Sequence, residues 1–193
     1  MSWKNYSNLE GSHAFLSPSS YHWTNYDISK LKIVYANWKA AQRGTILHDF
    51  ARRAIDLGER LFDGGTTLNM YVNDAIDLRM KPEQPLYFSK YCYGTADAIS
   101  FIGDRLTIHD LKTGITPASL HQLEIYAALF CLDYDIRPGD IDTTLRIYQN
   151  NDIIEGRATP EIILPYMDTI QTFSKVLEEI DEEEGVNRNV RLI

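Results

Sequence analysis

The chain has 193 residues, 44% of them hydrophobic, which is enough to bury the core of a single domain. Its formal net charge of −8 argues against an extended basic surface, although six of the acids lie together in residues 178–184. No apolar run reaches the roughly 18–20 residues of a membrane span, and the N-terminus lacks a signal-peptide pattern, so we expect a cytoplasmic protein without a membrane partner. Cys92 and Cys131 are too few for the four thiolates of an iron-sulfur cluster.

The first part of the chain predicts an arm followed by two helices. Residues 1–25 lack periodicity, and their aromatic side chains are expected either to pack on the domain or to stack on bases. The helix predicted over residues 27–42 carries lysines that either track a phosphate backbone or form a solvated face. Gly44 is expected to separate it from a second helix that reaches about Phe62. The aromatic residues of the arm are Trp3, Tyr6, Tyr21, Trp23 and Tyr26.

The next segment predicts a further helix and a first strand. Two glycines at 64–65 break the chain, and residues 66–80 are expected to form a helix polar enough to lie outside the core. Pro82 and Pro85 then interrupt regular structure. Residues 86–93 are aromatic and favour a strand.

A β-hairpin follows this strand. The pair Gly103-Asp104 lies between two alternating apolar runs, which is the signal for a two-residue type II′ turn. Such a turn pairs Ile102 with Arg105 and thereby sets the pairing of every residue further along the two strands.

This register places two acids opposite each other. Asp97 is expected to face Asp110, with Cβ atoms about 4.5–5.5 Å apart, a distance at which like charges destabilise a sheet. One of the two carboxyl groups is therefore expected to have a raised pKa. Lys112 follows on the same face of the strand as Asp110. Mg²⁺ or Mn²⁺, which prefer oxygen ligands, would compensate the two carboxylates.

A helix beginning near the acids carries a second polar pair. It is predicted to start with Thr116 as N-cap and Pro117 as first residue, and to run to about Leu132. Gln122 and Tyr126 are four residues apart and share one helix face, which is expected to turn toward the acids. A separate stripe is expected to face the core: Leu120, Leu123, Ala127 and Phe130.

The remaining elements complete an α/β fold, with a central mixed sheet flanked by helices. Residues 142–149 predict a fourth strand, and Pro160 and Pro165 lead into a last helix. The expected single domain has an arm and helix in residues 1–43, a catalytic core in 44–150, and a C-terminal helix and tail in 151–193. One apolar stripe of the last helix is predicted to pack in the core: Tyr166, Ile170, Phe173, Leu177 and Ile180.

Several of these segments resemble the motifs of one nuclease family. Residues 94–97 (GTAD), 110–114 (DLKTG) and 122–126 (QLEIY) resemble the G-x-x-D, D-x-K-T-G and Q-x-x-x-Y motifs of RecB-like nucleases in the PD-(D/E)xK superfamily. The last motif is the mark of the lambda-exonuclease-like and RecE-like branch. Residues 44–48 also fit the G-x-x-x-H that these nucleases carry before their strands. The resemblance implies a restriction-endonuclease-like core of the order αβββαβ.

The resemblance also implies an activity and its residues. The activity is metal-dependent hydrolysis of DNA by an exonuclease that resects DNA ends in recombination or repair, with Mg²⁺ or Mn²⁺ as cofactor. Asp49 and Glu59 remain alternative metal ligands, Arg52 and Arg53 would contact DNA phosphates, and Glu83 is the only acid near the position of an extra glutamate found in some members. The implied metal ligands are His48, Asp97, Asp110 and the Leu111 carbonyl. The implied catalytic residues are Asp97, Asp110, Lys112, Gln122 and Tyr126.

The implied partners are DNA, chiefly its linear ends, and a strand-annealing recombination protein. The sequence leaves open whether the chain forms a homo-oligomer of the kind that lambda-type exonucleases form. Two alternatives to the exonuclease also stay open. One is a structure-specific or restriction-type endonuclease on the same core. The other is a non-catalytic DNA-binding or regulatory protein that retains the nuclease fold.

Overall fold

The computed structural model describes residues 5, 7 and 13–190, with side chains given through residue 183. Residue contacts divide the chain into two compact units, one ending at Thr45 and the other beginning at Ile46. No helix within residues 13–190 combines the length and the apolar character needed to cross a bilayer. The helices are α1 (Ile28–Leu57), α2 (Thr67–Asp77), α3 (His121–Asp133) and α4 (Pro160–Val190), and the strands are β1 (Lys81–Ser89), β2 (Cys92–Ile102), β3 (Arg105–Leu111), β4 (Asp142–Gln149) and β5 (Asp152–Arg157).

The unit ending at Thr45 is organised by aromatic contacts. The ring of Phe15 lies 5.0 Å from that of Tyr35 and 5.5 Å from that of Trp38. The indole of Trp23 donates a hydrogen bond of 2.9 Å to the carbonyl of Ser17, within a segment that contains a short 3-10 helix. The aromatic residues predicted at positions 3 and 6 lie outside the described residues.

Helix α1 runs from Ile28 to Leu57 without the break predicted at Gly44. A single glycine costs a helix only about 1 kcal/mol relative to alanine, which is too little to end a helix of this length. The helix ends five residues before the predicted Phe62, because Gly58 takes a φ of +67°. There the N–H of Glu59 donates to the carbonyl of Ala54, which closes the last turn in the manner of a Schellman motif.

The five strands form one mixed sheet in the order β1-β2-β3-β4-β5. Only β3 and β4 are parallel, and helix α3 lies in the connection between them. The prediction of four strands missed β5, which follows a two-residue turn at Asn150 and Asn151 with φ of 53° and 59°. Positive φ at both positions defines a type I′ turn, and paired asparagines are a sequence signal for it.

The first predicted strand is wrong in its boundaries. Strand β1 begins at Lys81, and the chain turns before β2 begins at Cys92. Pro82 and Pro85 are accommodated because β1 is an edge strand, where a missing N–H need not break a ladder.

The register of the β2–β3 hairpin is confirmed. Ile102 pairs with Arg105, and the pairing continues through Ile99 with Ile108. Gly103 has a φ of +66°, as the first central position of a type II′ turn requires. The turn chemistry was therefore sufficient to predict which residues face each other.

Helices cover both faces of this sheet. Helices α3 and α4 pack on one face around a core that includes Leu106, Ile108 and Leu145. Helix α2 and the residues of α1 from Ala51 onward pack on the other face, around Leu111. Helix α2 was expected to lie outside the core, and this prediction is wrong. Its buried residues are Tyr71, Val72, Asn73 and Ala75.

Helix α3 begins at His121 rather than after the predicted cap at Thr116. The side-chain amide of Gln149 donates to the carbonyls of Gly114 and Thr116, at 2.6 and 2.8 Å, and accepts from the N–H of Ala118. These bonds satisfy the backbone of the preceding loop, so that helical bonds are not needed there.

Part of the apolar stripe of α4 that was predicted to pack in the core is exposed. Tyr166 and Ile170 pack on the core, but Phe173, Leu177 and Ile180 are 63%, 42% and 45% exposed. The side that faces inward at this turn carries Ser174, whose hydroxyl lies 2.9 Å from that of Ser89.

Candidate active site

The hairpin brings the carboxylates of two strands together. The β2–β3 pairing is regular as far as Ala98 and His109, and Asp97 and Asp110 are the next residues on each strand. The backbone N–H of Leu111 donates a hydrogen bond of 2.9 Å to Oδ2 of Asp97. The side chain of Asp97 therefore reaches across to β3, beside Asp110.

Asp110 is bonded on one carboxylate oxygen only. The ammonium group of Lys112 lies 3.0 Å from Oδ1 of Asp110 and donates a second bond of 2.9 Å to Oε1 of Gln122. The side chain of Asp110 is only 4% exposed, and its Oδ2 is buried without a hydrogen-bond partner among the described residues. A buried carboxylate oxygen without a partner is costly, so this atom is placed to accept a ligand.

A third acid lies beside Asp97. Glu83 lies close to both His48 and Asp97: each of the three residues offers one ligand atom, and these atoms lie within 4.8 Å of one another. The distance from Nδ1 of His48 to Oδ2 of Asp97 is 3.5 Å. Within the part of the chain that the structure describes, these residues form the one group of His, Cys, Asp and Glu side chains compact enough to hold a metal ion.

From the sequence, Glu83 was not expected among the metal ligands, because β1 was expected to start after the prolines. Once β1 begins at Lys81, its pairing with β2 places Pro82 opposite Ala98 and Gln84 opposite Ala96, so that Glu83 lies across from Asp97. Glu83 has a φ of +48°, which is unusual for a residue other than glycine and is typical of functional sites. The pairing of β1 with β2 would have been the signal for this residue.

The electrostatics of the site favour a cation. Burial raises the pKa of Asp97 to about 6, and the nearby charge of Asp110 acts in the same direction. His48 and the N–H of Leu111 lower the pKa of Asp97 without offsetting that rise. The sequence-based expectation of a raised pKa for one of the two facing acids is therefore confirmed, and the acid is Asp97.

The G-x-x-D and Q-x-x-x-Y segments are in direct contact. The hydroxyl of Tyr126 donates a bond of 2.6 Å to the carbonyl of Thr95, two residues before Asp97. A Cβ on Gly94 would lie 3.0 Å from Cε1 of Tyr126, so a larger residue at this position would push the ring away from β2. Tyr126 thus holds β2 against α3 near the acids, while Gln122 holds Lys112.

The alternative ligands are engaged with other residues or lie apart from the group. Asp49 binds Arg52 at 3.0 Å and Arg53 at 2.7 Å, and the hydrogen bond from Arg52 holds the pKa of Asp49 below its ordinary value. Arg52 also contacts Asp56 at 3.3 Å. Glu59 is exposed and is not part of the metal-binding group.

The structure thus brings together six side chains of the candidate site from α1, β1, β2, β3, the residue directly after β3, and α3, and Leu111 through its backbone N–H. The Leu111 carbonyl stays a predicted ligand. These six side chains are His48, Glu83, Asp97, Asp110, Lys112 and Gln122. No protein-family model matches this chain, and no curated protein matches it in sequence.

Proposed function

We propose that this protein is a Mg²⁺- or Mn²⁺-dependent deoxyribonuclease that degrades linear DNA from its ends. The observation that carries the proposal is the cluster of carboxylates on β1, β2 and β3. Glu83 and Asp97 lie with His48 in one compact group, Asp110 binds Lys112, and one buried oxygen of Asp110 has no partner in the described chain. The motif resemblance described above supports the same chemistry, with DNA end resection in recombination or repair as the setting.

The residues present fit a divalent cation. His48, Glu83 and Asp97 already lie close enough together to share an ion, and Oδ2 of Asp110 is a further oxygen donor. Carboxylate oxygens and an imidazole suit Mg²⁺ or Mn²⁺. When bound, the cation would neutralise charge at the phosphate and polarise the phosphate oxygens.

Lys112 is the residue best placed to act on the reacting groups. Asp110 and Gln122 use two of its three N–H donors, which leaves one for substrate. In the proposed hydrolysis, water attacks phosphorus while the P–O3′ bond breaks, the water gives up a proton to solvent, and the departing O3′ takes one up, so the products carry a 5′-phosphate and a 3′-hydroxyl. The ammonium group of Lys112 orients that water and stabilises the negative charge that develops on the phosphate oxygens.

Digestion of end-labelled linear DNA and closed circular DNA, each with Mn²⁺, Mg²⁺ or EDTA, tests the proposal. We expect the linear substrate to be degraded only with a divalent metal and the closed circle to persist. Cleavage of the circle would identify an endonuclease instead. Metal binding without cleavage of either substrate would identify a non-catalytic protein on the same fold.

A further inference from the structure

A cavity of about 350 Å³ lies directly beside the candidate active site. Lys112 lines it and also binds Asp110, so that the cavity and the site share one side chain. Leu47, the neighbour of His48, lines another side. The volume is at the small end of the range of about 300–1,000 Å³ seen for ligand sites, which suits one nucleoside rather than a base pair.

One wall of the cavity is a rigid turn. Asn150 and Asn151 connect β4 to β5 with positive φ at both positions. The N–H of Thr67 donates to Oδ1 of Asn151 at 2.9 Å, and the N–H of Asn151 donates to the hydroxyl of Thr67 at 2.7 Å. This reciprocal pair fastens the turn to the start of α2, so the wall is preorganised before any ligand enters.

Two polar groups of the lining are unused by the protein. The side-chain amide of Asn150 and the hydroxyl of Thr113 form no hydrogen bond within the described part of the chain. An amide offers a donor and an acceptor side by side, which matches the edge of a nucleobase. Leu47 and Leu68 add apolar surface against which a planar ring can pack.

We propose that this cavity binds one unpaired nucleotide of the strand being cut, next to the scissile phosphate. The base lies against Leu47 and Leu68 with its edge on the amide of Asn150, and its phosphate points toward Lys112. This inference rests on the proposed nuclease function and adds a substrate class to it. Because a paired base already uses its Watson–Crick edge, the cavity selects frayed or single-stranded ends.

Binding of thymidine 5′-monophosphate in EDTA, followed by NMR titration, tests the cavity apart from catalysis. We expect saturable binding to the wild-type protein and an at least tenfold higher Kd for each of two variants. Leu47→Trp fills the cavity, and Asn150→Gly removes the amide while keeping the positive φ that the turn needs. Two exposed positions elsewhere, Leu177→Trp and Asn37→Ala, serve as matched controls.

The same variants are then assayed on blunt duplex DNA and on DNA with an unpaired end. We expect Leu47→Trp and Asn150→Gly to raise the KM for the unpaired end by about tenfold, and the control variants Leu177→Trp and Asn37→Ala to leave it within twofold. If both variants lose nucleotide binding but the wild-type protein cuts no DNA, the nuclease proposal is refuted and the nucleotide site is retained. If the wild-type protein cuts DNA but both variants bind the nucleotide with unchanged affinity, or the wild type shows no saturable binding, the nucleotide site is refuted and the nuclease proposal is retained.

Discussion

Consecutive residues of strand β3 lie in two different polar clusters. Asp110 faces α3 and binds Lys112, whereas His109 faces α2 and contacts the hydroxyl of Tyr148 at 3.3 Å. That hydroxyl donates a bond of 2.7 Å to Asp74, so the second cluster also links a strand to a helix. We call the residues around Asp97 and Asp110 the carboxylate site, and His109, Tyr148, Asp74, Arg146 and Glu155 the buried network.

The two clusters differ in how their charges are met. In the buried network, Arg146 lies between Asp74 at 3.3 Å and Glu155 at 2.6 Å. Burial, assisted by Arg146, lowers the pKa of His109 to about 3, so that the imidazole is neutral. The carboxylate site contains three acids and one lysine, and among the described residues Oδ2 of Asp110 has no hydrogen-bond partner.

This difference distinguishes a structural cluster from a site. Within the described part of the chain, both clusters contain a buried atom without a hydrogen-bond partner, Nε2 of His109 in one and Oδ2 of Asp110 in the other. A neutral imidazole nitrogen tolerates that state at less cost than a carboxylate oxygen, because the penalty is larger for charged groups. We therefore expect an added cation to stabilise the carboxylate site and not the buried network.

The largest expected effect is the loss of cleavage in Lys112→Ala. Removing the ammonium group should lower the rate of metal-dependent DNA cleavage by at least about 10²- to 10³-fold, because charge on the phosphate is then left unstabilised. Metal binding should be retained, whereas the metal-free protein should lose stability because the buried carboxylate of Asp110 loses its ammonium partner. The exposed Lys175 provides the matched control, Lys175→Ala, and full activity in Lys112→Ala would remove the proposed mechanism.

The next effect separates the two clusters by their response to metal. A cation that binds only the folded protein adds about 2.7 kcal/mol to the free energy of unfolding at a hundred times its Kd. Thermal melts with Mn²⁺ and with EDTA should show this increase for the wild type and for Tyr148→Phe, a variant of the buried network. Asp97→Asn should lose most of it, and an equal response in all three proteins would show that Asp97 does not bind the ion.

A variant of the buried network should affect stability alone. Tyr148→Phe removes the hydroxyl that donates to the carboxylate of Asp74, and hydrogen bonds to charged groups contribute about 1.5–3 kcal/mol. We expect urea unfolding to show a loss in that range and the cleavage rate to stay within twofold of wild type. A large loss of cleavage with unchanged stability would instead make the network part of the active site.

The smallest effect is a gain of stability in Asp97→Asn without metal. The amide removes a buried charge near Asp110 and retains an oxygen for the N–H of Leu111, so we expect a gain of about 1 kcal/mol at neutral pH. Asp110→Asn should not show this gain, because it would leave the ammonium group of Lys112 without its carboxylate partner.

The raised pKa of Asp97 makes the stability of the folded protein depend on pH. A carboxyl group whose pKa rises from 3.8 when unfolded to about 6 when folded binds its proton more tightly in the folded state. It therefore destabilises the folded protein as pH rises from about 4 to 6, by at most about 3 kcal/mol. The stability of wild type relative to Asp97→Asn, measured in EDTA, should fall over that range. A constant difference would contradict the raised pKa.

Local signals determined a large share of the fold. The turn at Gly103 and Asp104 sets the register of β2 and β3 because its geometry involves only two residues, and that register was predicted correctly. The boundaries of β4 were also predicted correctly. The proximity of Asp97 to Asp110, and of Gln122 to Lys112, follows from the same hairpin and the helix after it.

Long-range contacts decided the remainder. Glu83 joins His48 and Asp97 only through the pairing of β1 with β2 and the packing of α1, which no local pattern contains. The start of α3 depends on Gln149, a residue more than thirty positions away from the loop it holds. Phe173 is exposed although its spacing is that of a core residue. Periodicity shows that a helix has an apolar side, but only the packing of other elements decides whether that side is covered.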